Sequence, residues 1–275
     1  MVLKLNLFLN EVILFGVTLL LGVFSAYNYT PFIEKTILEP PSYSWDSIII
    51  FLAFFVVLSL VLLRFKRLSG IFLKFFLLLV VFSGSQIILG SIISSPWDLF
   101  LALLIAFIFL SVHNVLAHNL SIMLGIAGVS SLLGVTISPQ YAVILLVALS
   151  FYDIIAVYWT KHMVYLAKGM VESGAIFGFI IPFDIKDLFY HKQEARQQLG
   201  DKFMILGSGD IGLPLILASS VAVVSIGQAL VVSLFALGGL FLTHVIFVNQ
   251  KNRKPMAALP PIATITIIGY LISSL

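Results

Sequence analysis

The chain has 275 residues, of which 61% are hydrophobic and only 10% charged, with no cysteine. A soluble domain carries roughly 25% charged residues, so a water-soluble globular protein is excluded, as are structural disulfides and thiolate chemistry. The net charge of +3 and the pI near 9.0 do not signal nucleic acid, because the Lys and Arg residues sit in loops between apolar runs, where membrane topology places them.

Apolar runs recur from end to end. They predict an all-α, polytopic membrane protein with nine spans, at 7–27, 47–63, 71–93, 97–112, 120–137, 141–160, 203–224, 228–248 and 258–275. Each is near the ~20 residues that cross a ~30 Å hydrocarbon core, some shorter. A membrane β-barrel would show short alternating segments instead. The first run contains Asn10 and Glu11 and lacks a small-residue cleavage site. It therefore reads as a retained span rather than a signal peptide, with Glu11 snorkelling toward the interface. Between the fourth and fifth spans, "VHNVLAHNL" offers His113 and His118, but no third ligand is evident for zinc. Gly125 and Gly128 in the fifth span, and Gly238 and Gly239 in the eighth, read as helix-packing sites. His244 in the eighth reads as a hydrogen-bonded core residue.

Charge tests the span count. With nine spans, fourteen of the fifteen Lys and Arg residues fall on one side, and only Lys35 on the other. The positive-inside rule expects such a split and sets the N-terminus in the cytoplasm and the C-terminus outside. The chain then divides into a six-helix part at 1–160, a cytoplasmic loop at 161–202 and a three-helix part at 203–275. The loop contains "GAIFGFIIPFDI", a stretch suited to the membrane surface or to pairing as an extended strand.

Only two acids lie well inside spans: Asp153 in the sixth and Asp210 in the seventh. Intramembrane acids are costly and are functional candidates by default. Each stands seven residues from the cytoplasmic end of its predicted span, roughly 10 Å deep at 1.5 Å per residue. Neighbouring spans could bring the two face to face. Two adjacent carboxyls share one proton. The ionised one can take a proton from water while the other polarises a peptide carbonyl, which is general acid–base hydrolysis without a covalent intermediate. A proton relay or cation site, in a coupled transporter or channel, uses the same acids equally well. Two unrelated, locally satisfied acids are the third option.

Around Asp210 runs "LGSGDIGLP". Gly207 and Gly209 flank Ser208 and remove side-chain bulk, so that another backbone can approach. Tyr152 precedes Asp153, and "AALPP" at 257–261 opens the last span with prolines suited to a first helical turn.

In order, these residues resemble the presenilin and signal-peptide-peptidase family of intramembrane aspartyl proteases. That family carries Tyr-Asp in its sixth span, Gly-x-Gly-Asp in its seventh and Pro-Ala-Leu before its ninth. Here they are matched by Tyr152-Asp153, by Gly207-Ser208-Gly209-Asp210 and by Ala258-Leu259-Pro260, with Ala257 at the position of the motif's first proline. The orientation resembles presenilin, "GDIGLP" is closer to the peptidase branch, and the compact length is similar to microbial, archaeal members. The resemblance implies an aspartic endopeptidase of the cell membrane, without cofactor or metal. Asp153 and Asp210 would be catalytic, with Tyr152, Gly207, Ser208, Gly209, Ala258, Leu259 and Pro260 shaping the site and holding substrate. It implies single-span protein or peptide substrates in the lipid bilayer, no nucleic acid, and compatibility with homo-oligomers. A helix must unwind before it is cut, and "FGFIIPFDI" or "KFMIL" could hold the unwound peptide along a strand edge.

Overall fold

Hydrocarbon offers no water to backbone N–H and C=O groups, so spanning segments close their hydrogen bonds internally as helices. The computed structural model describes residues 4–36, 66–250 and 255–274, and there the chain is mostly helical. The helices are α1 (Leu5–Thr36), α2 (Lys66–Gly90), α3 (Trp97–Ser111), α4 (Val115–Thr136) and α5 (Pro139–Ile154), which continues into a π-helical turn, Ile155–Trp159. After them come α6 (His162–Ser173), the short α7 (Lys192–Gln197), α8 (Ser208–Ala222), α9 (Ile226–Val248) and α10 (Leu259–Ser273). Among the described residues, five helical segments are long and apolar enough to cross a membrane, and α3, α8 and α10 are shorter apolar helices. The expected second span, 47–63, lies outside the described residues, as do the basic residues Arg64, Lys251, Arg253 and Lys254.

α4 and α8 form the centre. α8 buries every residue from Pro214 to Ala222, and α4 packs on α1, α2 and α8. Lipid tails are as apolar as leucine, so helix association there rests on close contact rather than on the hydrophobic effect. Glycine provides that contact. A Cβ on Gly84, Gly125 or Gly128 would press into the backbone of the facing helix where α2 crosses α4. One on Gly239 would sit 2.6 Å from the Cα of Ile262, where α9 meets α10. These are the packing roles expected of Gly125, Gly128 and Gly239.

The all-α expectation needs one amendment. Between α6 and α8, β1 (Gly178–Pro182) pairs antiparallel with β2 (Phe203–Gly207), in the register Gly178–Gly207 through Pro182–Phe203. The seventh span therefore does not begin at 203. Residues 203–207 are strand, and the helix starts at Ser208. Phe179, Ile180, Ile181 and Phe203 are fully buried, so the sheet lies within the fold rather than on its surface.

Candidate active site

The sheet leads directly into the turn that carries Asp210. The Ser208 N–H donates to the Phe177 carbonyl at 3.2 Å. Antiparallel ladders alternate, so the backbone polar groups of Gly178, Ile180 and Pro182 (for Pro182 the C=O alone), and of Gly207, Ile205 and Phe203 opposite, point away from the partner strand. On the β1 side this outer edge is occupied. Asn119 of α4 donates to the Ile180 carbonyl at 2.8 Å and accepts from the Ile180 N–H at 2.9 Å. Nε2 of His118 lies 3.1 Å from the Gly178 carbonyl, so Nε2 carries the proton. Asn10 of α1 donates to the Pro182 carbonyl at 2.9 Å. Asn119 has no accessible surface and His118 only 2%.

The β2 edge is different. Phe203 is used by the preceding loop, through Gln198 and Gly200. Gly207 is the N-cap of α8, and its backbone N–H donates to the carboxylate of Asp210 three residues on. This is half of a capping box, with the acid at the third helical position reaching back to the cap. Ile205 remains, with its N–H and C=O directed outward and no partner among the described residues.

The Gly-x-Gly-Asp pattern acquires a physical basis in this turn. A Cβ on Gly207 would stand 3.1 Å from Oδ2 of Asp210, displacing the carboxylate. One on Gly178, across the ladder, would run into the Leu206 carbonyl. A Cβ on Gly209 would meet nothing within 4 Å, so no packing inside the protein asks for glycine there. Ser208 opens the helix, and its hydroxyl makes no capping bond.

Asp153 lies near the end of α5, one residue before the last of that helix. The backbone N–H of Leu259 donates to its carboxylate, while Oδ2 is buried with no partner among the described residues. That N–H is available because Leu259 opens α10, and first-turn donors have no helical acceptor. Pro260 and Pro261 follow with no N–H to satisfy. Ala258 is the N-cap, in helical conformation at φ −88°. Ala257, at the position of the family's proline, is buried. The motif residues thus converge: Asp153 is tied to α10, Asp210 to the end of β2, and the two acids are near enough to interact through their charges. Tyr152, about half exposed, points elsewhere. Its hydroxyl lies 2.7 Å from Nε2 of His162, whose Nδ1 lies 2.6 Å from the Thr160 hydroxyl. This chain of bonds ties the end of α5 to the start of α6.

A cavity of about 330 Å³ opens beside Asp210, walled by Ile205, Thr243 and Ala258 and reached also by Glu11 and His244. Glu11 does not snorkel to the interface. It is buried, with Oε2 2.9 Å from Nδ1 of His244. His113 and His118 do not converge: His113 stacks on His191, and His118 holds β1. No group of three or more metal-ligating side chains occurs among the described residues. The clamp of Asn10, His118 and Asn119 was not foreseen. The polar pair in "AHNL" was its one visible trace, and its partners lie about 60 residues further along.

A family profile described as signal-peptide peptidase, presenilin aspartyl protease matches residues 12–275. Among solved structures, one described as a presenilin family intramembrane aspartate protease in space group P2 is 25% identical, with a TM-score of 0.60, covering 94% of this chain and 96% of the other. Another, so described in space group C222, is 23% identical with a TM-score of 0.58, covering 94% of each chain. A search of curated proteins returned no match.

Proposed function

Because the chain belongs to the family of signal-peptide peptidases and presenilin aspartyl proteases, and is thus a multi-pass membrane protease acting on transmembrane substrates, we propose that Asp153 and Asp210 are its catalytic pair. One observation carries this. The two acids come from different helices, interact through their charges, and are each anchored by a backbone N–H, of Leu259 and of Gly207. Fixed dipoles of that kind hold both carboxyls in place before substrate arrives. The ionised carboxyl draws a proton from water. The protonated one donates to the scissile carbonyl, and the proton returns to the leaving amine. The transport alternative draws no support from the family or from the structural neighbours.

The substrate peptide, unwound, lies along β2. Ile205 offers it one N–H and one C=O beside Asp210, while β1 is closed by Asn119, His118 and Asn10. "KFMIL", not "FGFIIPFDI", is therefore the receiving strand. Gly207, Ser208, Gly209, Ala258, Leu259 and Pro260 line or brace this place, whereas Tyr152, also named by the resemblance, holds the α5–α6 junction through His162. The nine-span topology, with the N-terminus and the 161–202 segment in the cytoplasm, is supported by fourteen of fifteen Lys and Arg residues falling on one side.

The test is cleavage of a single-span substrate by purified protein in vesicles, with products mapped by mass spectrometry. Cuts should fall inside the hydrophobic segment. Asp153→Asn and Asp210→Asn should each lower the rate by roughly 10²–10⁴-fold or more. Retained cleavage in either variant would sink that assignment.

A further inference from the structure

Glu11 of α1 and His244 of α9 are each 2% exposed and share one bond, Oε2 to Nδ1, at 2.9 Å. The other two polar atoms, Glu11 Oε1 and His244 Nε2, are buried with no partner among the described residues. Burying such a pair is costly unless its remaining valences are satisfied. A pair serving only to join α1 to α9 would be expected to fill them from within. Here both residues instead line the cavity that also reaches Asp210 and Ile205. Apart from Asp210, the only other polar side chain on that wall among the described residues is Thr243, whose hydroxyl donates back to Gly239 at 2.9 Å. At about 330 Å³ the cavity is of ligand-binding size.

We propose that the Glu11–His244 pair is a specificity site that takes a carboxamide side chain, Asn or Gln, from the substrate segment lying on β2. The inference rests on that placement of the substrate. A carboxamide suits the pair in either state of the ring. Its NH₂ donates to Glu11 Oε1. Its oxygen accepts from a protonated Nε2, or its second hydrogen goes to an unprotonated one. An aliphatic side chain would leave both atoms bare. A site built to hydrogen-bond a substrate group discriminates strongly against an analogue that lacks it.

The experiment moves a single Asn through an otherwise Leu- and Val-rich single-span substrate, one position at a time. Purified wild-type protein in vesicles is used, with products mapped by mass spectrometry. The expected result is a cut at a fixed offset from the Asn. kcat/KM should be about tenfold or more above that of the Leu substrate, in line with a hydrogen bond to a charged group. In the Glu11→Leu/His244→Leu double variant the ratio should fall toward one. If that variant does not fold, Glu11→Gln reads the same ratio. Cuts that ignore the Asn in wild type, as they would if the cavity holds only water, overturn the proposal while leaving the catalytic pair standing. A ratio unchanged in the variants overturns it too. Absence of cleavage for every substrate overturns both.

Discussion

Ile205→Pro tests the role of β2 with little disturbance of the sheet. Residue 205 sits at a position whose N–H points away from β1, so proline removes no ladder bond. Its fixed φ near −65° is compatible with extended backbone, and Met204 before it is already extended. What proline removes is the single outward donor, replacing it with a ring that opposes an incoming carbonyl. A substrate acceptor left unpaired on binding costs about 1–3 kcal/mol, or roughly 5- to 150-fold in kcat/KM at 1.4 kcal/mol per decade. The Ile205 side chain also lines the cavity. Ile205→Ala is therefore the reference, since it trims the side chain and keeps the N–H. Leu206→Pro is the opposite control: its N–H faces Phe179 in the ladder, so it should lower the melting temperature where Ile205→Pro does not. The assay is cleavage in vesicles beside thermal unfolding in detergent. If Ile205→Pro cleaves within twofold of Ile205→Ala, the substrate does not hydrogen-bond to β2.

Other outcomes follow from the same geometry. Asn119→Ala orphans the buried N–H and C=O of Ile180, at about 2–4 kcal/mol. Amide exchange at Ile180 should speed up and the melting point drop, and unchanged exchange would count against the clamp. Gly207→Ala should lower kcat about tenfold by displacing the Asp210 carboxylate across a 3.1 Å approach. Gly209→Ala, meeting nothing within 4 Å, should melt as wild type and show its effect in KM. The pKa of Lys192, at the start of α7 in the stretch between β1 and β2, is lowered to about 8 by burial and then by the charges of Arg196 and Lys74. The native state thus releases a proton that the unfolded chain keeps up to about pH 10.4. Stability relative to Lys192→Met should then rise between pH 8 and 10, and the penalty should be complete below 8. A flat difference across that range would contradict the burial.

The two acids and the motifs around them were legible because each carries a local signature: a carboxylate in an apolar run, glycines before it, prolines opening a helix. The helices were legible for the same reason. The start of the seventh span was not. "KFMIL" is as apolar as a membrane helix, and only its partner, 25 residues upstream, makes it a strand. Short apolar runs do not reveal their period. Glu11 was misjudged because its position near a helix end allows snorkelling, whereas the imidazole that claims it stands 233 residues away. The β1 clamp was hidden likewise, being three side chains from two helices acting on backbone groups that have no sequence identity of their own.

A sheet closed on one side can lengthen on the other by one strand at a time. Asn119, His118 and Asn10 occupy the β1 side, so a peptide seated on the sheet as proposed joins it at the Ile205 edge. The bonds that seat an uncut peptide there also seat whichever fragment of it still lies on β2 after hydrolysis. That fragment no longer has the far half of its helix pulling it back into the bilayer, nor any second edge on which a successor could queue. On that proposed placement, turnover should follow how fast the spent fragment peels away. Short extended peptides able to occupy β2 should act as competitive inhibitors even when they contain no membrane-spanning sequence at all.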